Sequence, residues 1–340
     1  MTGSVGDFHN FGQAVRRVTS PDGTIWFEKP RPVYWEWLFF GTSSPLAVFF
    51  ENRDAIFGLT IESQNEGRFG RSKEIVATPR GAVTPDQLFG FGYLLAYAYV
   101  FGIQDIFAEN TITTPNGLQV IDAEIVFSKF TLPNESFLFP FRNCAFEKAA
   151  LSHLLPSMAE IDLSAIKQIL HGFCELLSAV DKNRSQILER LSRETSLAEV
   201  PIRILLRETS DYRSWQTREY ARPLLLEEVE QLKRGDIPYF FKLMGDSGLF
   251  YFGADETRKS VLLPKILEAA VSNIAVQPSL LLEEQRIRKQ LFPFGATFLL
   301  RKLLPRDWVG EITGHHFTAT VGVQEIAVSS PWGDFSTKRS

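Results

Sequence analysis

Two short segments of apolar and polar residues, joined by a turn sequence near the start of the chain, predict a pair of β-strands. Residues 14–18 and 24–29 flank a Ser-Pro-Asp-Gly sequence at 20–23, which is typical of the turn in a β-hairpin. Pro30 and Pro32 follow the second segment and should end its strand, because a proline has no N–H group for the ladder.

Residues 88–103 are the most apolar part of the chain and predict a buried helix. Thr84 followed by Pro85 is a typical helix start, with the threonine as N-cap and the proline at the first helical position. Apolar side chains then occupy all sides of the helix, which favours burial within the protein. The stretch is short for a membrane span, so none is predicted. The polar segment before it, residues 52–85, favours an exposed mobile loop.

The remainder of the chain mixes short strands with longer helical segments. Residues 111–113 and 119–121 flank a Pro-Asn-Gly sequence and predict a second hairpin, and the tail from residue 313 indicates mixed strand and coil. Helical periodicity recurs in three segments: 146–192, 227–233 and 279–291. These elements predict an α+β protein with a strand-rich N-lobe over residues 1–84 and a mainly helical C-lobe over residues 85–340.

The composition excludes several classes of protein. With 44% hydrophobic and 22% charged residues, the 340-residue chain can bury a core. A formal net charge of −4 without a run of like charges gives no indication of nucleic-acid binding. The only two cysteines, Cys144 and Cys174, are too few for a disulfide framework, and they favour a reducing, cytoplasmic compartment. The N-terminal segment lacks the features of a signal peptide.

Candidate chemistry is concentrated in residues 102–127. Asp105 and Asn110 are five positions apart, and Asp122 follows across the predicted second hairpin. Protein kinases place an Asp, an Asn and a second Asp in this order, to orient the attacking hydroxyl and to bind magnesium. Lys29 lies at the end of the second predicted strand. Kinase-like folds place the lysine that binds the phosphates of ATP on a strand of the N-terminal lobe in this way. The alternative for each residue is structural, because Asp and Asn are common in turns and lysine is common at strand ends.

Five segments, in order, resemble motifs of the class II (LanM-type) lanthipeptide synthetases. The sequence GDFHNFGQAV resembles G-D-x-H-x-x-G-x-x-V, and FEKPRP resembles Y-K-P-R. The stretch from Asp105 to Glu124 resembles D-x-H-x-E-N followed by I-D-x-E, and RILLRETSDY resembles R-x-x-x-R-x-T-x-x-Y. The sequence RPLLLEEVEQLKRGDIPYF resembles the family's R-P-L-L and G-D-I-P-Y-F segments. The resemblance extends over residues 6–245.

The resemblance implies a bilobal, kinase-like fold related to lipid kinases and a dehydratase activity. Members of the family phosphorylate Ser and Thr of a precursor peptide with ATP and Mg²⁺, and then eliminate the phosphate to leave a dehydroamino acid. The motifs assign one set of residues to ATP, magnesium and phosphoryl transfer: Lys29, Asp105, Asn110, Asp122 and Glu124, with Asn110 and Asp122 as the metal ligands. They assign a second set to elimination: Asp7, His9, Arg203 and Thr209.

Two departures from the family's pattern leave other functions open. Phe107 stands where the family has a histidine, which raises the possibility of a weakened or altered first step. We also expect a form without the family's long N-terminal region and without its zinc cyclase, so that a separate cyclase or other partner enzyme would act with it. The alternatives are an enzyme that stops at phosphorylation of a peptide, protein or small molecule, and a catalytically weakened relative that binds a peptide.

Overall fold

A computed structural model shows an α+β protein with small antiparallel sheets and a helical centre. It describes residues 3–9, 11–64, 69–79, 81–140, 145–216, 225–314 and 316–339. The α+β class predicted from the sequence is therefore confirmed. The division into two kinase-like lobes at residue 85 stays a prediction.

An antiparallel five-stranded sheet opens the chain, in the order β1-β2-β3-β5-β4. Its strands are β1 (Gly3–His9), β2 (Gln13–Thr19), β3 (Ile25–Lys29), β4 (Ile61–Gln64) and β5 (Phe69–Lys73). The predicted first hairpin is confirmed as the pairing of β2 with β3. By contrast, β4 and β5 were not predicted, because their polar composition is typical of a loop. They become strands through pairing with each other and with β3.

Two helices connect this sheet to the centre of the protein. They are α1 (Tyr34–Phe40) and α2 (Pro85–Phe101). The predicted start of α2 is confirmed, since the Thr84 hydroxyl accepts a hydrogen bond from the Gln87 amide at 3.2 Å and the Gln87 side chain accepts one from the Thr84 amide. Helix α2 is buried along almost its whole length, as predicted. Among the described helices, none combines the length and apolarity needed to cross a bilayer.

The second predicted hairpin, β6 (Thr111–Thr114) and β7 (Gly117–Val120), is confirmed and lies directly on α2. A Cβ atom added at Gly90 of α2 would lie 1.8 Å from the carbonyl oxygen of Asn116 in the hairpin turn. Gly117 has a φ of +123°, a conformation that glycine adopts without steric cost. The two glycines therefore allow the turn and the helix to meet backbone to backbone.

Helix α3 (Leu163–Ser192) packs along α2. The other α-helices described are α4 (Thr209–Gln216), α5 (Leu226–Lys233), α6 (Lys265–Ser272), α7 (Pro278–Leu281), α8 (Glu284–Arg286) and α9 (Phe292–Leu303). Short 3₁₀ turns join several elements, and a π-helical turn (Ile287–Leu291) precedes α9.

Two further antiparallel sheets lie in the second half of the chain. The first has the order β11-β10-β9-β8 and consists of β8 (Ile202–Ile204), β9 (Phe240–Lys242), β10 (Leu249–Phe252) and β11 (Arg258–Val261). The second is a meander of β12 (Gly310–Thr313), β13 (Thr318–Val321), β14 (Glu325–Ser330) and β15 (Gly333–Lys338). The largest core cluster contains residues from Trp35 to Val328, on both sides of residue 85, and separate smaller clusters include side chains of the β8–β11 sheet.

Candidate functional site

The end of strand β3 and the end of the β6–β7 hairpin meet at Lys29. Its ammonium donates hydrogen bonds to Oε1 of Glu36 at 3.0 Å and to the carbonyl oxygen of Ile121 at 2.7 Å. The same nitrogen lies 3.8 Å from Oδ1 of Asp122. The lysine side chain is only 5% exposed, so its charge is removed from water and depends on these partners. Two residues predicted from distant segments are thus brought together.

Arg31 lies at the centre of this charged group. Its guanidinium donates to Oε1 of Glu36 at 2.6 Å and to Oδ1 of Asp122, and its Nε lies 3.2 Å from Oε1 of Glu124. Burial alone would lower the pKa of Arg31, but the three carboxylates raise that pKa well above its usual value. The arginine therefore remains a fixed positive charge among three acidic side chains.

Arg31 and Glu36 were not predicted as site residues. Arg31 lies within the FEKPRP segment, so its place in a matching motif could have indicated that it is a site residue. Glu36 is the one charged residue in the sequence YWEWLFF of helix α1, and its side chain is 1% exposed. An acidic residue in an otherwise apolar helix is a signal for a buried ion pair, because an unpaired buried charge is costly.

The β6–β7 hairpin also aligns Asn110 with Asp122. The carbonyl oxygen of Asn110 accepts a hydrogen bond from the Ile121 amide at 2.9 Å, which extends the ladder by one pair and places Asn110 across from the residue before Asp122. The Asn110 side-chain amide donates to the backbone carbonyl oxygen of Asp105 at 2.7 Å. Asp105, Asn110 and Asp122, three of the residues predicted for ATP, magnesium and phosphoryl transfer, are therefore linked through this hairpin and its hydrogen bonds.

Asp105 has an unusual backbone and an unusual proton affinity. Its φ of +65° lies in the left-handed region, which costs free energy for a residue other than glycine. Burial raises the pKa of its carboxyl to about 7, although the nearby Arg203 cation opposes this rise. A carboxylate with a pKa near neutrality can exchange a proton at working pH, as a general base must.

Strand β8 brings Arg203 to the other side of the charged group. The Arg203 amide donates to the Glu124 carbonyl oxygen at 2.9 Å, and its guanidinium lies 3.3 Å from Oε1 of Glu124. The guanidinium carbon is 5.4 Å from the centre of the Tyr239 ring, a cation–π contact. Burial opposes protonation, but Glu124, Tyr239 and the neighbouring acids still raise the pKa of Arg203. Glu124 thus joins Arg203 to Arg31.

Some buried polar atoms of the group have no hydrogen-bond partner among the residues that the structure describes. They are Oε2 of Glu36 and Nε of Arg203. Buried polar atoms are normally paired, so these two mark hydrogen-bonding capacity that a bound molecule could use.

The structure says less about the other residues predicted for elimination, which are Thr209, Asp7 and His9. Thr209 is the first residue of α4 and half-buried, two positions after Arg207, which forms a 2.7 Å ion pair with the buried Glu228. Asp7 and His9 belong to strand β1, but their side chains lie outside the described part of the structure. Only their backbone position can be related to Arg203.

Phe107 fills the position of the missing histidine with an aromatic contact. Its ring stacks on Phe137, with 4.4 Å between the ring centroids and 27° between the planes. The side chain at this position therefore packs against another aromatic ring and offers no polar group to Asp105, two residues away.

The acidic residues suit magnesium held together with phosphate better than a metal held by protein alone. Across the described residues, no three His, Cys, Asp or Glu side chains form a cluster able to hold a metal ion. Mg²⁺ commonly takes one or two carboxylates and completes its shell with phosphate oxygens and water. Asn110 and Asp122, with hard oxygen atoms on one hairpin, fit that limited contribution.

The fold and this group define an α+β protein with a buried ionic site between its first sheet, a hairpin and strand β8. Residues 1–167 match the model of a family described as a domain of unknown function (DUF4135). The match includes the segment from Lys29 to Glu124 and ends before Arg203 and Thr209. A comparison with curated proteins finds no match to the chain.

The raised pKa of Asp105 predicts a pH-dependent gain in stability for Asp105→Asn. The folded protein binds the Asp105 proton more tightly than the unfolded chain does, so this residue's contribution to stability is present in acid and lost as pH rises through about 7. Asparagine carries no charge and tolerates the left-handed backbone. The variant should exceed the parent protein's unfolding free energy at pH 8 by on the order of 2 kcal/mol, with a much smaller difference near pH 5.

Thermal unfolding of both proteins at the two pH values measures this difference. Asp22→Asn is a matched control, because Asp22 is exposed and hydrogen bonds from Thr24 lower its pKa. That control should lose a little stability at pH 8. An Asp105→Asn effect of the same size at both pH values would contradict the raised pKa.

Proposed function

We propose that the protein is a LanM-like dehydratase, which phosphorylates Ser or Thr of a precursor peptide with ATP and then eliminates the phosphate. The observation that supports this most strongly is the convergence of separated motifs on one site. Lys29 from β3, Asp122 from the hairpin and Arg203 from β8 are linked through Arg31 and Glu124. A purely structural ion-pair group would not require these residues to follow the order of a phosphotransferase.

In the first step, Lys29 and Arg31 would bind phosphate oxygens of ATP. Asp105 would accept the proton of the attacking Ser or Thr hydroxyl, as its pKa near 7 permits. The hydroxyl oxygen forms a bond to the γ-phosphorus, and the bond from that phosphorus to the bridging oxygen breaks to release ADP. Glu36 would hold Lys29, in the manner of the lysine–glutamate pair of protein kinases.

Asn110 and Asp122 would hold Mg²⁺ on the phosphates. When bound, the ion would supply positive charge that stabilises negative charge on the phosphates. In the present arrangement Arg31 neutralises Asp122, so Arg31 would share that carboxylate or turn towards the phosphates when the nucleotide binds.

In the second step, a general base would remove the α proton of the phosphorylated residue. The Cβ–O bond would then break to release phosphate, and a Cα–Cβ double bond would form. Arg203 would stabilise the departing phosphate, because a guanidinium matches the oxygens of that anion. The resemblance assigns Thr209, Asp7 and His9 to the same step. Arg203 also touches Tyr239, a second hydroxyl-bearing residue near this end of the group.

A peptide-binding protein with weakened catalysis is the second candidate, and Phe107 is the observation that favours it. The Phe107–Phe137 stack removes a polar side chain from the neighbourhood of Asp105. Turnover of ATP in the presence of Ser- and Thr-containing peptides separates the two candidates. A dehydratase consumes ATP, whereas a binding protein does not.

The first test of the proposal is magnesium-dependent binding of ATP. Titration calorimetry of the parent protein should show tighter binding of ATP with Mg²⁺ than without it. Asp122→Ala should lose this difference, because it removes the only carboxylate among the two proposed ligands. Asp54→Ala, which changes an aspartate with a 79% exposed side chain, is the control and should behave like the parent protein. An unchanged magnesium effect in Asp122→Ala would refute the metal assignment.

A further inference from the structure

A carboxylate from the second half of the chain holds the turn between β1 and β2. Oδ2 of Asp236 accepts a hydrogen bond from the Phe11 amide, and Oδ1 accepts one from the Gly12 amide, both at 2.8 Å. Phe11 and Gly12 each have a φ of +73°, so two successive N–H groups point towards one anion. More than two hundred residues separate the partners in sequence, so the contact is a tertiary clamp.

Arg234 completes this clamp from the same loop as Asp236. Its Nε donates to Oδ2 of Asp236 at 2.5 Å, and its guanidinium carbon lies 4.4 Å from the centre of the Phe11 ring. A third contact, from NH1 to the carbonyl oxygen of Phe252 at 3.1 Å, anchors the arginine to strand β10. Asp236 is completely buried, and its charge is therefore compensated by one cation and two amides.

The clamp places β1 next to the Arg203 end of the charged group. Phe8 accepts a backbone hydrogen bond from the Ile237 amide at 2.8 Å, so the chain on either side of Phe8 runs beside Ile237. Tyr239, two residues further along, carries the ring that contacts Arg203. The pairing of β1 with β2 also shifts register between Val5 and His9.

We propose that Asp236 is a positioning residue, which holds the β1–β2 turn and so keeps the backbone of β1, the strand that carries Asp7 and His9, beside the elimination end of the site. This inference rests on the proposed function, which assigns those two residues to elimination. Loss of the clamp would leave Lys29, Asp105 and Asp122 in place, because none of them contacts Asp236 among the hydrogen bonds and ion pairs of the described residues. Elimination should therefore suffer while phosphoryl transfer and ATP binding persist.

The opposing possibility is that the carboxylate occupies amides that would otherwise bind a phosphate of ATP. Successive N–H groups in a turn are a common phosphate site, and a carboxylate can take the place of that anion. Under that reading, removal of Asp236 would tighten ATP binding. The positioning role instead predicts unchanged ATP affinity.

The experiment compares Asp236→Ala and Asp236→Asn with the parent protein and with Asp255→Ala. Asp255 also accepts a backbone amide, from Thr257, but in an exposed turn of the second half of the chain, so it controls for the loss of a turn-capping carboxylate. Hydrogen exchange of residues 8–13 should be about tenfold faster or more in Asp236→Ala. Asp236→Asn keeps one of two acceptor oxygens and should be intermediate, and Asp255→Ala should match the parent protein in this segment.

The second readout uses a synthetic phosphoserine peptide with ADP, followed by mass. Elimination turnover should fall about tenfold or more in Asp236→Ala, with partial recovery in Asp236→Asn, while calorimetry gives the same dissociation constant for ATP. Unchanged exchange at residues 8–13, tighter ATP binding, or an equal loss of phosphorylation and elimination would each overturn the positioning role.

The two readouts separate failure of this inference from failure of the proposed function. If the parent protein does not eliminate phosphate from the peptide, the dehydratase proposal fails, and the positioning role in elimination fails with it. Faster exchange in Asp236→Ala would then still establish the clamp as a tether. If the parent protein eliminates normally and Asp236→Ala does too, the inference alone is wrong.

Discussion

Asp105→Asn should abolish phosphoryl transfer and leave ATP binding nearly unchanged. Asp105 touches none of Lys29, Arg31 or Asp122 through a hydrogen bond or ion pair in the described structure, so the variant retains the residues proposed to bind phosphate and metal. It loses the carboxylate proposed to accept the hydroxyl proton, a change that costs about 10²–10⁴-fold in rate for general bases. The measurement is the mass of a Ser- and Thr-containing peptide after incubation with ATP and Mg²⁺.

The pH profile of the parent protein gives an independent check on the same residue. Because burial raises the pKa of Asp105 to about 7, the phosphorylation rate should rise as the pH passes through that value. Glu109→Gln is the control, since Glu109 is an exposed neighbour whose negative charge adds to the raised pKa of Asp105. It should shift the profile slightly to lower pH and keep full activity. Parallel loss of ATP binding and phosphorylation in Asp105→Asn would move Asp105 to the metal site.

Arg203→Met should accumulate phosphopeptide in place of dehydrated peptide. Methionine keeps much of the length of the side chain but removes the donors that would stabilise the leaving phosphate, a loss of about 10²–10³-fold for such groups. Phosphoryl transfer should continue, because Lys29, Asp105 and Asp122 remain. A phosphoserine peptide supplied with ADP tests the second step directly, and the variant should leave this peptide intact.

The competing explanation for Arg203 is a structural ion pair with Glu124. Removal of the arginine would then leave Glu124 partly uncompensated, and stability would fall together with both activities. A melting curve recorded beside the peptide assay separates the two explanations. Arg193→Met, which breaks an exposed pair with Glu189, is the control and should change neither activity. A normal melting temperature without any phosphopeptide would exclude the elimination role.

Local sequence signals predicted the elements that carry the site. The Ser-Pro-Asp-Gly turn, the Thr84 cap and the Pro-Asn-Gly turn each have a mechanism that acts over a few residues, and each formed as expected. Lys29 and Asp122 were both predicted as site residues, and the structure brings the Lys29 ammonium within 3.8 Å of the Asp122 carboxylate. Local sequence signals and the order of the motifs were therefore sufficient to predict the elements that carry the site.

The contacts that complete the site could not be predicted in the same way. Arg31 satisfies three carboxylates from two other elements, and Asp236 binds amides 224 and 225 positions earlier in the chain. Such pairings leave no periodic pattern in the sequence, because their geometry depends on how whole elements pack. The strands β4 and β5 were missed for a related reason, since partner strands outweigh weak intrinsic propensity.

The backbone contact between Gly90 and the turn at Asn116 makes one side of the site rigid. Because backbone atoms are in direct contact, no side chain lies between them that could change rotamer and let the hairpin shift. The hairpin that is flanked by Asn110 and Asp122 is therefore held rigidly against α2. The β1–β2 turn is held instead by side-chain hydrogen bonds to Asp236 and by the backbone bond from Ile237 to Phe8. Under the proposed function, the residues that would hold magnesium therefore keep their positions from one turnover to the next.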